Sequence, residues 1–160
     1  MKALQLLLIS VVIIVGCKKQ VNNVLKPDTL KTVVTPPDAG IYHYLALGDS
    51  YTIGTSVQPD QSYPIQLISA MNAAGLSTPN PTIVAADGWT TDVLIHAIAS
   101  NNIANNKYQV VTLLIGVNDQ YEGLTQSHYR TNFIQLLHTA MNFAGGDSTR
   151  VFVCRYQIMG

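Results

Sequence analysis

Gly48-Asp49-Ser50 closes an apolar run, Tyr44 to Leu47, and sets a hydroxyl where that run stops. A serine attacking an acyl carbon needs two kinds of help, a base for its proton and hydrogen-bond donors for the oxyanion that forms. Donors of this kind stand at two further polar turns, Asp87-Gly88 and Gly116-Val117-Asn118-Asp119. The backbone N–H of Ser50, the backbone N–H of Gly88, where no side chain obstructs close approach, and the side-chain amide of Asn118 are the candidates to converge on one oxygen. Losing one such donor typically costs ~10²–10³ in rate. Ser50 is the candidate nucleophile.

The elements that must position these residues follow from hydrophobic patterning. Tyr44 to Leu47 lacks helical spacing and reads as a buried parallel strand. Tyr63-Pro64 opens a helix with Leu67, Ile68 and Met71 on one stripe and Gly75 just past its end. Pro81 to Ala86 reads as a second strand, and Thr90 or Thr91 as the cap of a helix to about Ser100. Tyr108 to Ile115 is the strongest strand pattern in the chain. From Ser127 the apolar positions Tyr129, Phe133, Leu136, Leu137, Ala140 and Met141 step by three and four, until Gly145-Gly146 ends the helix. Val151 to Val153 begins a fourth strand. Strands alternating with helices predict an α/β fold with a parallel sheet, right-handed crossovers and helices on both faces. In such sheets ligands bind at the carboxyl ends of the strands, and all three polar turns fall on that rim.

With 160 residues, 48% of them hydrophobic and 11% charged, the chain suffices for one core. A formal net charge of zero and no Lys/Arg-rich segment argue against nucleic acid, which needs clustered cations. A small neutral ligand fits better. No metal or organic cofactor is expected, and phosphate loops and dinucleotide fingerprints do not occur. Cys17 and Cys154 are too few for a disulfide scaffold.

Ahead of the domain, Met1-Lys2 and the apolar stretch Ala3 to Gly16 have secretory-signal architecture. The stretch is shorter than the ~20 residues a helix needs to cross a bilayer. Ile14-Val15-Gly16-Cys17 resembles the bacterial lipobox, which implies residues 1–16 as a lipoprotein signal peptide, Cys17 as a lipidated residue, and a location in the bacterial cell envelope, periplasmic or at the surface. Residues 17–40, with Pro27, Pro36 and Pro37, read as a linker. A flexible tether of that size reaches roughly 25 Å. The domain is read as residues 41–160.

Gly48-Asp49-Ser50-Tyr51-Thr52, Gly88 with Trp89-Thr90-Thr91 behind it, and Gly116-Val117-Asn118-Asp119 resemble blocks I, II and III of the SGNH (GDSL) hydrolase family of esterases and lipases. The resemblance implies a flavodoxin-like three-layer α/β/α sandwich of strand order 2-1-3-4-5. It also implies ester hydrolysis through an acyl-serine, with Ser50 as nucleophile and Ser50, Gly88 and Asn118 as the oxyanion hole. The competing Gly-x-Ser-x-Gly signature is absent, because position 52 is Thr. Asp49 is expected to hold its turn by side-chain-to-backbone bonding and Asp119 to cap the segment after it. For Tyr51 and Trp89 an acyl-pocket role and simple packing stay open.

The family's base is a histidine in an Asp-x-x-His block near the C-terminus, and none of His43, His96, His128 and His138 has an Asp three residues before it. His128, at a helix start after the Asn118 turn, is at most a substitute. Codons for Val153 to Gly160, read one nucleotide earlier, are compatible with Val-Ser-Ile-Pro-Asp-Tyr-Gly, which resembles how family members continue. The expectation is therefore a fold incomplete at the C-terminus, truncated by a single-base event near codon 153, with impaired activity. The alternative is a catalytically inactive surface lipoprotein that binds an acylated glycan or lipid.

Overall fold

The computed structural model describes residues 40–156. Residues 1–39, which include the stretch read as a signal peptide, Cys17 and most of the expected linker, lie outside the described residues. Four parallel strands, β1 (Tyr44–Gly48), β2 (Thr82–Ala85), β3 (Val110–Leu114) and β4 (Val151–Val153), form one sheet of order β2-β1-β3-β4. This is the order the family resemblance implies for the first four strands. Its register sets Leu45 beside Thr82 and Val111, and Val111 beside Val151.

Helices α2 (Tyr63–Ala73), α3 (Thr91–Ser100) and α5 (Gln126–Phe143) make the crossovers, all three close to the segments expected from spacing. The direction of each crossover decides its face. The chain moves one way from β1 to β2 and the other way from β2 to β3 and from β3 to β4. Right-handed connections therefore put α2 on one face and α3 with α5 on the other. The alternation of β1 agrees with this: Tyr44 and Ala46 pack with Ile68 of α2, while Leu45 and Leu47 join Leu94 and Ile98 of α3 and Leu136 and Ala140 of α5. Full burial of a leucine stabilises by about 1.5–3 kcal/mol relative to exposure. The α3/α5 face, with Leu45, Leu47, Leu94, Leu113 and Leu136 all fully buried, supplies most of the core.

The α2 face is partly polar. The Tyr44 hydroxyl lies 2.8 Å from Thr112 Oγ1, which lies 3.1 Å from the Tyr63 hydroxyl, and Tyr63 is in turn 3.4 Å from Thr52 Oγ1. Burial raises the pKa of both tyrosine hydroxyls above the usual phenol value. The chain of hydroxyls runs from the sheet interior to the turn that follows β1.

Two short helices were not legible in the patterning. Helix α1 (Ser50–Ile53) and helix α4 (Val117–Tyr121) follow directly on β1 and β3, where turns were expected. Neither is long enough to show a helical period. Each is specified by its ends: Asp49 caps α1 and Gly54, at φ 79°, closes it, while Gly116, at φ 127°, turns the chain into α4. Among the described residues β4 is a sheet edge, and Phe152 and Val153 on it are exposed.

Candidate active site

Ser50 is the first residue of α1, half-buried, on the rim where β1 ends. Its turn is built by its two predecessors. At Gly48 a Cβ would stand 2.0 Å from Thr52 Oγ1 and 2.5 Å from the Leu114 carbonyl oxygen, so only glycine lets β1 run this close to β3 and α1. Asp49 is fully buried, and its Oδ1 accepts the Tyr51 N–H at 3.1 Å, as expected for a side chain that holds the turn. Burial is the main influence on the Asp49 carboxyl and raises its pKa; hydrogen bonds from the Tyr156 hydroxyl and the Tyr51 N–H pull it back.

Gly88 lies exposed at φ 73° in the turn between β2 and α3, and Asn118 lies half-buried in the first turn of α4. Among the described residues nothing accepts from the backbone N–H of Ser50 or of Gly88. One proton of the Asn118 amide is used: Nδ2 donates to the Trp89 carbonyl at 2.9 Å, which ties the turn after β3 to the turn after β2. The other remains for a ligand. Thr55, just past α1, donates its hydroxyl to Asp87, which ties the turn after β1 to the turn after β2.

Asp119 corrects the expectation that it caps the segment after it. It is buried within α4, and its carboxylate reaches across to α3, where Oδ2 accepts the Thr91 N–H at 2.9 Å and Oδ1 the Thr91 hydroxyl at 2.5 Å. Thr90 holds the N-cap position of α3 without a side-chain cap bond, so the cap comes from another strand's turn. Spatial proximity, invisible in sequence, replaces the local motif.

None of the histidines is hydrogen-bonded to Ser50 among the described residues. His43 lies before β1, at the rim opposite Ser50, and His96 and His138 are exposed on α3 and α5. His128 does have a carboxylate, contributed by a distant residue: its Nε2 lies 2.5 Å from Asp92 Oδ2, and Asn132 Nδ2 lies 3.1 Å from the same nitrogen and 2.8 Å from Asp92 Oδ1. The pair is exposed and clamps the start of α3 to the start of α5. It is not hydrogen-bonded to Ser50. The hydrogen bonds that His128 does make are those of a helix-to-helix clamp.

Of the two aromatics left open, Trp89 is half-buried against the α3/α5 core. Tyr51 is 58% exposed and meets Tyr156 edge to face, with centroids 4.7 Å apart. Cys154 is a free thiol whose pKa is raised by burial. Among the described residues no cluster of His, Cys, Asp and Glu could hold a metal ion.

A flavodoxin-like α/β/α sheet carrying the serine, glycine and asparagine turns on one rim is the architecture of the SGNH hydrolases. Residues 46–157 match the model of the GDSL-like Lipase/Acylhydrolase family, and the chain belongs to that family. Among solved structures, AlinE4, an SGNH-hydrolase family esterase, is similar at 24% identity and TM-score 0.55 over 64% of this chain and 55% of that one. TesA is similar at 18% identity and TM-score 0.59, covering 72% and 61%. The psychrotrophic esterase EstA from Pseudoalteromonas sp. is similar at 15% identity and TM-score 0.57, covering 73% and 60%. At these identities the likeness is one of fold. The chain spans 55–61% of the length of these three structures. No curated protein sequence matches.

Proposed function

We propose that the chain carries the nucleophile and oxyanion side of a carboxylic-ester hydrolase, with Ser50 Oγ attacking the acyl carbon to form an acyl-serine. The observation that carries this reading is the cross-tying of the three turns: Asn118 to Trp89, Thr55 to Asp87, and Asp119 to Thr91. Such ties fix donors before a substrate arrives, which is what electrostatic stabilisation of an oxyanion requires. The backbone N–H of Ser50, that of Gly88 and the free proton of the Asn118 amide are the donors in this reading. The substrate class is a small-molecule carboxylic ester, and no cofactor enters the step.

Among the described residues no side chain is hydrogen-bonded to Ser50 as a base. That observation favours a second reading, a binding protein that keeps the pocket for an acylated glycan or lipid without turnover. A fluorophosphonate probe separates the two. Labelling that disappears in Ser50→Ala supports serine chemistry at that hydroxyl. Ligand binding with no labelling supports the binder. For the N-terminal segment we propose a lipid anchor at Cys17 that holds the domain at a bacterial envelope membrane; incorporation of labelled fatty acid that survives Cys17→Ala would refute it.

A further inference from the structure

We propose that Tyr156 is a positioning residue for Ser50, its phenol acting as a strut from the segment after β4 to the turn after β1. Tyr156 follows β4 and stands 107 positions from Asp49 in sequence, yet its hydroxyl donates to Asp49 Oδ2. The ring itself rests edge to face on Tyr51, the residue after Ser50, at 4.7 Å and 68°. One side chain therefore touches the cap of α1 and the residue beside the nucleophile.

The physical argument runs through Asp49. Its carboxylate is fully buried and has two partners, the Tyr51 N–H on Oδ1 and the Tyr156 hydroxyl on Oδ2. A buried carboxylate that loses one of two donors is poorly solvated, and the charged form suffers most. Asp119 on α4 adds a like charge that presses in the same direction as burial. The Tyr156 hydroxyl opposes both. Without it Asp49 would take up a proton at higher pH, and a protonated Asp49 is a weaker N-cap acceptor for the helix whose first residue is Ser50.

This inference rests on the nucleophile reading of Ser50, and the test keeps the two apart. Tyr156→Phe removes the hydroxyl and leaves the ring on Tyr51. In the full chain, fluorophosphonate labelling is followed against probe concentration and pH for the unchanged protein, Tyr156→Phe and Ser50→Ala. In parallel, Asp49 is titrated by NMR in protein labelled at the Asp carboxyl carbons, with Asp49→Asn assigning the signal. The expected result is a maximal labelling rate lowered about tenfold or more in Tyr156→Phe at little-changed probe affinity, with the Asp49 midpoint displaced upward. An unmoved Asp49 midpoint overturns the strut whatever the labelling shows. A displaced midpoint with unchanged labelling overturns its role in positioning Ser50. Absence of labelling in the unchanged protein refutes the nucleophile reading, and with it Tyr156's role in the reaction, while the titration still reads the hydrogen bond itself.

Discussion

Replacing Asp119 by alanine tests whether α3 is held by a cap delivered from the turn after β3. The carboxylate takes two hydrogen bonds from Thr91, at 2.9 Å from its N–H and 2.5 Å from its hydroxyl, and both residues are buried. Loss of a helix cap costs about 0.5–2 kcal/mol. A buried donor left without an acceptor adds about 1–3 kcal/mol. The Thr91 oxygen keeps Asn132 Nδ2 at 3.1 Å as a donor, but that contact gives the hydroxyl proton nowhere to go. The two costs overlap, because the cap bond is one of the lost acceptors, and a total of about 2–4 kcal/mol is expected. Equilibrium unfolding in urea measures it directly. Thr91→Val removes only the hydroxyl half, so the double-mutant cycle with Asp119→Ala should return a coupling of about 1–2 kcal/mol. Asp119→Ala within 0.5 kcal/mol of the unchanged protein, or a coupling indistinguishable from zero, would refute the cross-turn cap.

Asp92→Asn tests the clamp to His128. The hydrogen bond from His128 is the main cause holding the Asp92 carboxyl below its usual pKa, so its contribution is present above the ordinary Asp value of 3.8 and is lost as pH falls through the lowered one. Both partners are more than 40% exposed, so the expected loss near neutrality is no more than about 1 kcal/mol; unfolding curves at pH 7 and at successively lower pH, with the difference between variant and parent shrinking as Asp92 takes up its proton, check it. Thr112→Val should cost about 1–3 kcal/mol by leaving the buried Tyr44 hydroxyl without its partner, whereas Thr112→Ser keeps the bond and most of the stability; an equal loss in both would mean that the methyl, not the hydroxyl, matters.

The larger elements were legible because each carries a signal as long as itself. Across the eighteen residues of α5 apolar positions recur at steps of three and four from Tyr129 to Met141, and β3 is an unbroken apolar run apart from Thr112. Helices α1 and α4 span four and five residues, little more than one turn, so no apolar position has room to repeat. Asp49 was readable because its partner, the Tyr51 N–H, is two residues away. Asp119, Asp92 and Tyr156 were not, since their partners lie 28, 36 and 107 positions off and are brought near only when the sheet closes. Sequence thus exposes residues whose role is local and hides those that join one turn to another.

The Gly48-Asp49-Ser50 triplet answers three different demands. At the glycine, any added carbon collides with Thr52 and the Leu114 carbonyl; at the aspartate, a buried carboxylate organises the helix start. Only the serine presents a free functional group. Loss of signal on changing the first two letters would therefore report a displaced backbone and not a missing reactant, so a mutational scan across the triplet diagnoses chemistry only at its third position.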